Sequence, residues 1–308
     1  MTAATPDSTR DRSPAPVLVA GATGFLGGQV VDELLTRGRT VRALVRPGSD
    51  ASRLESSGVE IARGDMLDLD SLVRAMTGVD AVVTTAAGYT KRNKNATAID
   101  TTGNANLAAA AGRAKVRRFV LTSILTADQT PGVSHFWHKK LAEDELVKNN
   151  VPFVALRPGA FLDQITQMNG DPFEKRKLMW FGTKTVPLTF VLTADLAGYL
   201  AAAVDADVRP GERIDIGWTR PVSMQELADI ASQRVGATVR VRAIHAGLLR
   251  ALTAVIGLAV PGVKDMGAMV GWFETGRYVA DVSRQEEVFG PVPTPEDAVA
   301  RFAARLGH

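Results

Sequence analysis

Three glycines, Gly21, Gly24 and Gly27, follow the apolar run Val17-Leu18-Val19-Ala20 and precede a helical pattern carrying Val30, Val31, Leu34 and Leu35 on one face. Strand, glycine turn and helix in that order form the context in which such glycines bind a dinucleotide rather than only make a turn. The first glycine permits the tight turn, the second lets backbone approach a pyrophosphate, and the third brings the helix close to the strand. Thr23, Phe25 and Leu26 lie between and beside them, where the N-terminus of the helix would face the phosphates. The next strand pattern, Thr40 to Val45, ends at Arg46. An acidic residue about twenty residues past the glycines bonds the ribose 2′-hydroxyl of NAD, whereas an arginine there pairs with the 2′-phosphate of NADP. The chain has the arginine and no acid, which predicts NADP(H) as cofactor.

These residues need a sheet to hold them. Val59 to Met66 reads as a third strand running into Asp65, and Asp80 to Gly88 as a fourth ending in small residues. Arg117 to Ser123 reads as a fifth, ending in hydroxyls. Helical patterns separate the five runs, which is the signature of a parallel sheet covered on both faces. The expected fold is α/β: a Rossmann-like doubly wound parallel sheet with a smaller, mainly helical C-terminal lobe. The expected division is a flexible tail over 1–14, a dinucleotide-binding domain over 15–217 with a substrate-side excursion near 160–186, and a substrate lobe over 218–308.

The chain resembles the short-chain dehydrogenase/reductase superfamily, and most closely its extended and atypical, NmrA-like branch. The resemblance rests on GATGFLG at Gly21–Gly27, GDMLD at Gly64–Asp68, LTS at Leu121–Ser123, KKLAEDEL at Lys139–Leu146 and ALRPGAF at Ala155–Phe161. Ala194-Asp195-Leu196-Ala197 adds to it, so that it spans roughly residues 15 to 235. It implies that Asp65 and Met66 lie by the adenine, that Ala86, Ala87 and Gly88 line the dinucleotide, and that Pro158 and Gly159 pass near the nicotinamide. It also implies catalytic roles for Ser123 and Lys139.

One departure from the family pattern bears on the chemistry. Members usually carry Tyr-x-x-x-Lys ahead of Ala-Glu, the tyrosine protonating a carbonyl oxygen as hydride reaches its carbon. Counting back from Ala142 and Glu143 places the lysine at Lys139 and puts His135 where the tyrosine belongs. Three proton sources fit this pattern. His135 can itself donate, because an imidazolium titrates near neutral pH; Lys139 can donate, as the resemblance to isoflavone-reductase-like members implies; or a hydroxyl beside the substrate's own carbonyl can activate it. His135 and Lys139 are equally readable as ordinary helix residues.

Composition narrows the remaining classes. The 308 residues carry a net charge of +3 with acids and bases interspersed, and no basic stripe with interleaved aromatics, so nucleic acid is not an expected partner. Cysteine is absent, excluding disulfides and thiolate chemistry, and the four histidines show no metal-ligand spacing. No apolar signal segment opens the chain, and ALTAVIGLAVPGV at 251–263 falls short of the roughly 18 apolar residues of a spanning helix. A cytoplasmic protein without stable membrane insertion is expected, as monomer or homodimer.

The C-terminal part begins a helix near Ser223, with Glu226 placed for a capping box. The apolar stretch 247–273 reads either as core-closing helices or a subunit contact, or as a lid over a hydrophobic substrate, with Met269, Trp272 and Phe273 lining it. Tyr89, Phe136, Trp137 and Phe161 are candidates for the same cleft. The leading expectation is an NADPH-dependent reductase delivering hydride to a carbonyl of a bulky, aromatic or polycyclic molecule. Reduction of a conjugated C=C or imine bond stays open, as does a non-catalytic NmrA-like sensor that reads the redox state of NADP(H).

Overall fold

The structure, a computed structural model, describes residues 15–88, 96–164, 170–244 and 261–308. The proposed tail, Tyr89 and residues 247–260 of the apolar stretch lie outside the described residues. Five of the sheet strands follow from the apolar runs: β1 (Val17–Ala20), β2 (Val41–Val45), β3 (Glu60–Arg63), β4 (Ala81–Thr84) and β5 (Arg118–Thr122). β6 (Phe153–Pro158) continues the series after helix Ser134–Lys148. Two short strands, β7 (Ala160–Phe161) and β9 (Phe190–Val191), pair with each other, and β8 (Lys177–Phe181) lies between them in sequence. β10 (Glu212–Ile216) then joins the main sheet, whose order is β10-β6-β5-β4-β1-β2-β3 with every pair parallel.

A parallel sheet is buried on both faces, so its strands must be apolar on both sides. In β1, Val17 and Val19 enter one core with Val30 and Leu34 of helix Phe25–Thr36, while Leu18 and Ala20 enter the opposite core with Leu72 and Leu107. The two-residue alternation of a strand splits VLVA between the two layers. The chain leaves β1 toward β2 and β3, then returns to place β4 on β1's other side. The crevice at the carboxyl ends of β1 and β4 is therefore the switch point where ligands of such sheets bind.

The excursion after β6 supplies β8, which pairs in parallel with β11 (Arg240–Ile244) to form a separate two-stranded sheet. Helix Met224–Val235 precedes β11 and carries the expected reciprocal capping box of Ser223 and Glu226. A third core gathers around these elements and includes Leu125, Phe136, Trp218, Leu227, Phe273 and Phe302. It joins the segment after β5 to the C-terminal helices Pro261–Phe273 and Pro295–Arg305. Among the described residues, no helix is long and apolar enough to cross a membrane.

Candidate dinucleotide and proton-transfer site

The glycine turn lies at the switch point. Gly21 has φ +87°, and a Cβ there would sit 2.7 Å from Thr85 Oγ1; a Cβ on Gly27 would sit 2.0 Å from the Gly21 carbonyl oxygen. Neither position admits a side chain, because strand, turn and helix approach too closely. Gly24 N–H donates to the Gly21 carbonyl at 2.9 Å and Gly28 N–H to that of Gly24 at 2.8 Å. Gly24 caps helix Phe25–Thr36 without a side-chain bond, and its first turn holds no acid. Its leading amides and the positive end of the helix dipole are thus open to an anion. Phe25, the first residue of this helix, is 57% exposed. Thr23 is exposed and Leu26 packs partly into the core.

Arg46 follows β2 directly and is exposed. Among the described residues its guanidinium enters no ion pair. Arg63 holds the turn that carries it, donating from Nη1 to the carbonyls of Ser49 at 2.7 Å and Arg46 at 3.3 Å. Asp65 accepts the Leu67 N–H at 2.9 Å. Met66 is buried against the turn at Gly103, and its carbonyl accepts from Asn106.

Beyond β4, Ala86 and Ala87 are accessible, whereas Gly88 is buried and donates its N–H to Asp100 Oδ1 at 2.6 Å. Asp100 sits in a π-helical turn, Ile99–Gly103, of the kind that recurs at functional sites. Lys139 reaches the same loop, its Nζ donating to the Ala86 carbonyl at 3.4 Å. Burial pushes the Lys139 ammonium below its ordinary value, and the Asp100 carboxylate acts against that shift.

Helix Ser134–Lys148 carries His135 one turn before Lys139, on the same face. Trp137 lies on the far side of that helix, with the Lys140 ammonium 5.4 Å from its ring. Phe136 is 1% exposed and packs against Tyr278 and Phe273, so its ring lies beneath the surface rather than on it. His135 Nδ1 contacts Asp265 Oδ2, and the other oxygen of Asp265 accepts the Ser134 N–H at 2.6 Å. Burial opposes ionisation of Asp265, but His135 and the Ser134 N–H outweigh it and hold the carboxyl below its ordinary value.

Ser123 is 3% exposed and donates to Glu143 Oε1 at 2.6 Å. Glu143 is itself buried and also receives Arg157 through Nε at 3.0 Å and Nη2 at 2.8 Å, and Arg213 Nε at 2.6 Å. The serine thus faces an ionic cluster that ties β5, β6 and β10 to the helix of His135. Pro158 and Gly159 are buried next to it, Gly159 bonding Ile216 and the Pro158 carbonyl accepting from Leu125.

Of the aromatic candidates, Phe273 is buried and Met269 and Trp272 are partly buried in the third core. Trp272 Nε1 donates to Thr126 Oγ1 at 2.9 Å, which pins its helix to the loop after β5. Phe161 packs instead against the first core. Among the described residues no cluster of His, Asp or Glu could hold a metal ion. Sequence reasoning passed over Asp100, Arg63 and Asp265. Only Asp265 left a signal: it is the sole carboxylate in the apolar stretch 247–273.

The chain belongs to the NmrA-like family, whose model matches residues 14–289. It is 26% identical over 234 residues, 76% of this chain and 72% of the relative, to the photosystem II assembly factor Ycf39 of Synechocystis sp.. Its fold is that of the Citrobacter sp. triphenylmethane reductase complexed with NADP(H), with a TM-score of 0.74 at 21% identity over 93% of this chain and 99% of that one. The NADPH-dependent quinone oxidoreductase QOR2 of Escherichia coli, complexed with NADPH, is equally similar: TM-score 0.74, 20% identity, 93% and 99% coverage.

Proposed function

We propose that this protein is an NADPH-dependent reductase that transfers hydride to a carbonyl of a bulky hydrophobic, aromatic or polycyclic molecule. The observation that carries the proposal is Lys139, a half-buried ammonium directed at the Ala86 loop of the switch-point crevice, one helical turn from His135. The open amides of the glycine turn would hold the pyrophosphate, and the exposed Arg46 would hold the 2′-phosphate. Ala86, Ala87 and Gly88 would run beside the dinucleotide, with Lys139 on its nicotinamide ribose. When bound, NADPH supplies the hydride, and this chain binds it, orients the acceptor and holds the proton.

In this reading the protein is a short-chain dehydrogenase/reductase relative in which His135 replaces the usual tyrosine, and its imidazolium protonates the developing alkoxide. Residues 15–217 form the cofactor domain and 218–308 a substrate lobe, with Met269 and Trp272 facing the acceptor. Solved relatives of the same fold that act on triphenylmethane dyes and on quinones support a large, planar acceptor. The test is NADPH oxidation, followed in the near ultraviolet, against aromatic ketones, quinones, enones and imines, each with and without a hydroxyl beside the reducible group. The ketones and quinones are expected to turn over without needing that hydroxyl. A strict requirement for it would transfer the proton-donor role from His135 to the substrate.

A second reading is favoured by the Ycf39 relatives, which are named as assembly factors. In it the chain is a non-catalytic NADP(H)-binding regulator. It would bind NADP⁺ and NADPH with unequal affinity and would oxidise no NADPH, whatever acceptor is present.

A further inference from the structure

We infer that Asp265 is a positioning residue for proton transfer, which keeps a proton on His135 Nδ1 and so makes Nε2 the nitrogen that takes up and gives up the transferred proton. The inference rests on the reductase reading, and adds to it a residue from the opposite end of the chain. Asp265 stands on helix Pro261–Phe273, and both of its oxygens are committed to the first turn of the helix that carries His135. One accepts the Ser134 N–H, at a helix end whose N-cap, Val133, has no side chain able to cap it. The other meets His135 Nδ1.

The hydrogen bond made by one ring nitrogen determines which tautomer a histidine adopts. A carboxylate only accepts, so Nδ1 must keep its proton whether the ring is charged or neutral. Any proton the ring gives up then leaves from Nε2. As hydride reaches the acceptor carbon and its C=O π bond opens, the Nε2 proton passes to the oxygen. An alcohol forms, and the ring is left neutral with Nδ1–H still bonded to Asp265. Solvent restores the Nε2 proton before the next turnover.

The carboxylate is held firmly enough to do this. Its helix is tied to the loop after β5 by Trp272 to Thr126, and the turn that follows it by Arg277 Nη2 to Gln129 Oε1 at 2.9 Å. The Phe136 ring packs edge-on against the imidazole, with centroids 4.7 Å apart, and limits its rotation.

Asp265→Asn separates capping from tautomer control. The asparagine oxygen can still accept the Ser134 N–H, but its amide donates to Nδ1 and forces the proton to Nε2. The experiment is nitrogen NMR of the full chain labelled in its histidines, at alkaline pH. The His135 signal is assigned by its loss in His135→Gln, and turnover and NADPH affinity are measured on the same samples. Wild type is expected to show the Nδ1–H form, the less favoured one in free histidine. Asp265→Asn should show Nε2–H, lose turnover at least about tenfold and keep its NADPH affinity. The double variant should be no slower than His135→Gln alone. An Nε2–H ring in wild type, or wild-type turnover in Asp265→Asn, would overturn the inference. Should wild type hold Nδ1–H yet fail to oxidise NADPH with any of the acceptors, the reductase reading falls while Asp265's hold on the ring is upheld.

Discussion

In the proposed reading, Arg46 sets the cofactor preference at a single exposed side chain. Bonds to a charged group contribute about 1.5–3 kcal/mol, so Arg46→Ala should weaken NADPH by about ten- to a hundredfold and leave NADH nearly unchanged. Calorimetric titration of both nucleotides checks this, and equal weakening would contradict a 2′-phosphate role. Asp215, on β10, makes a prediction about pH. Burial lifts its carboxyl from 3.8 to about 6, with the Asp281 N–H and Arg157 acting against the shift. Between those values the folded state binds more protons than the unfolded chain, so stability falls as pH rises from about 4 to 6 and stays reduced above. Asp215→Asn should therefore be more stable than wild type at pH 7, by about 1–2 kcal/mol, and equal to it below pH 4 in urea titrations. The close-packed glycine turn was readable in the sequence because its geometry depends on neighbours in the chain. Asp265 was not readable as a partner of His135, because 130 residues separate the two and only the tertiary fold joins them.

At the scale of elements, Glu143 explains why Ala-Glu after Lys139 and Arg-Pro-Gly at 157–159 occur in one chain. Helix Ser134–Lys148 supplies the carboxylate, β6 supplies Arg157 and β10 supplies Arg213, and together they bury charge at the carboxyl end of the sheet. Glu143→Ala would leave Arg157 with only the exposed Asp128 at 3.0 Å, at a cost of about 3 kcal/mol in stability. A urea midpoint within error of wild type would contradict that. Gly27→Ala acts on the junction of β1 and its helix. The added methyl must displace the Gly21 carbonyl, so cofactor binding is expected to be lost even where the variant folds, by cofactor titration of the folded fraction. Strand positions in the main sheet were legible because each is a short apolar run between helical patterns. The pairing of β8 with β11 was not, since 58 residues separate Phe181 from Arg240 and neither strand has a buried two-residue alternation.

For the whole molecule, the cofactor crevice and the third core converge on the loop after β5. That loop follows β5, an inner strand of the sheet, carries Thr126 and Gln129 for docking of the C-terminal segment, and leads into the helix of His135 and Lys139. The C-terminal segment therefore completes the proposed site through Asp265. The central claim is that hydride leaves bound NADPH for an acceptor on this protein. The most direct test gives the protein NADPH deuterated at the transferable position of the nicotinamide ring, with aromatic ketones and quinones as acceptors, and reads the products by mass spectrometry. Deuterium on the reduced carbon of a ketone-derived alcohol is the predicted result. NADPH bound tightly but never oxidised, with no label in any acceptor, would contradict the account and leave a nucleotide-sensing regulator in its place.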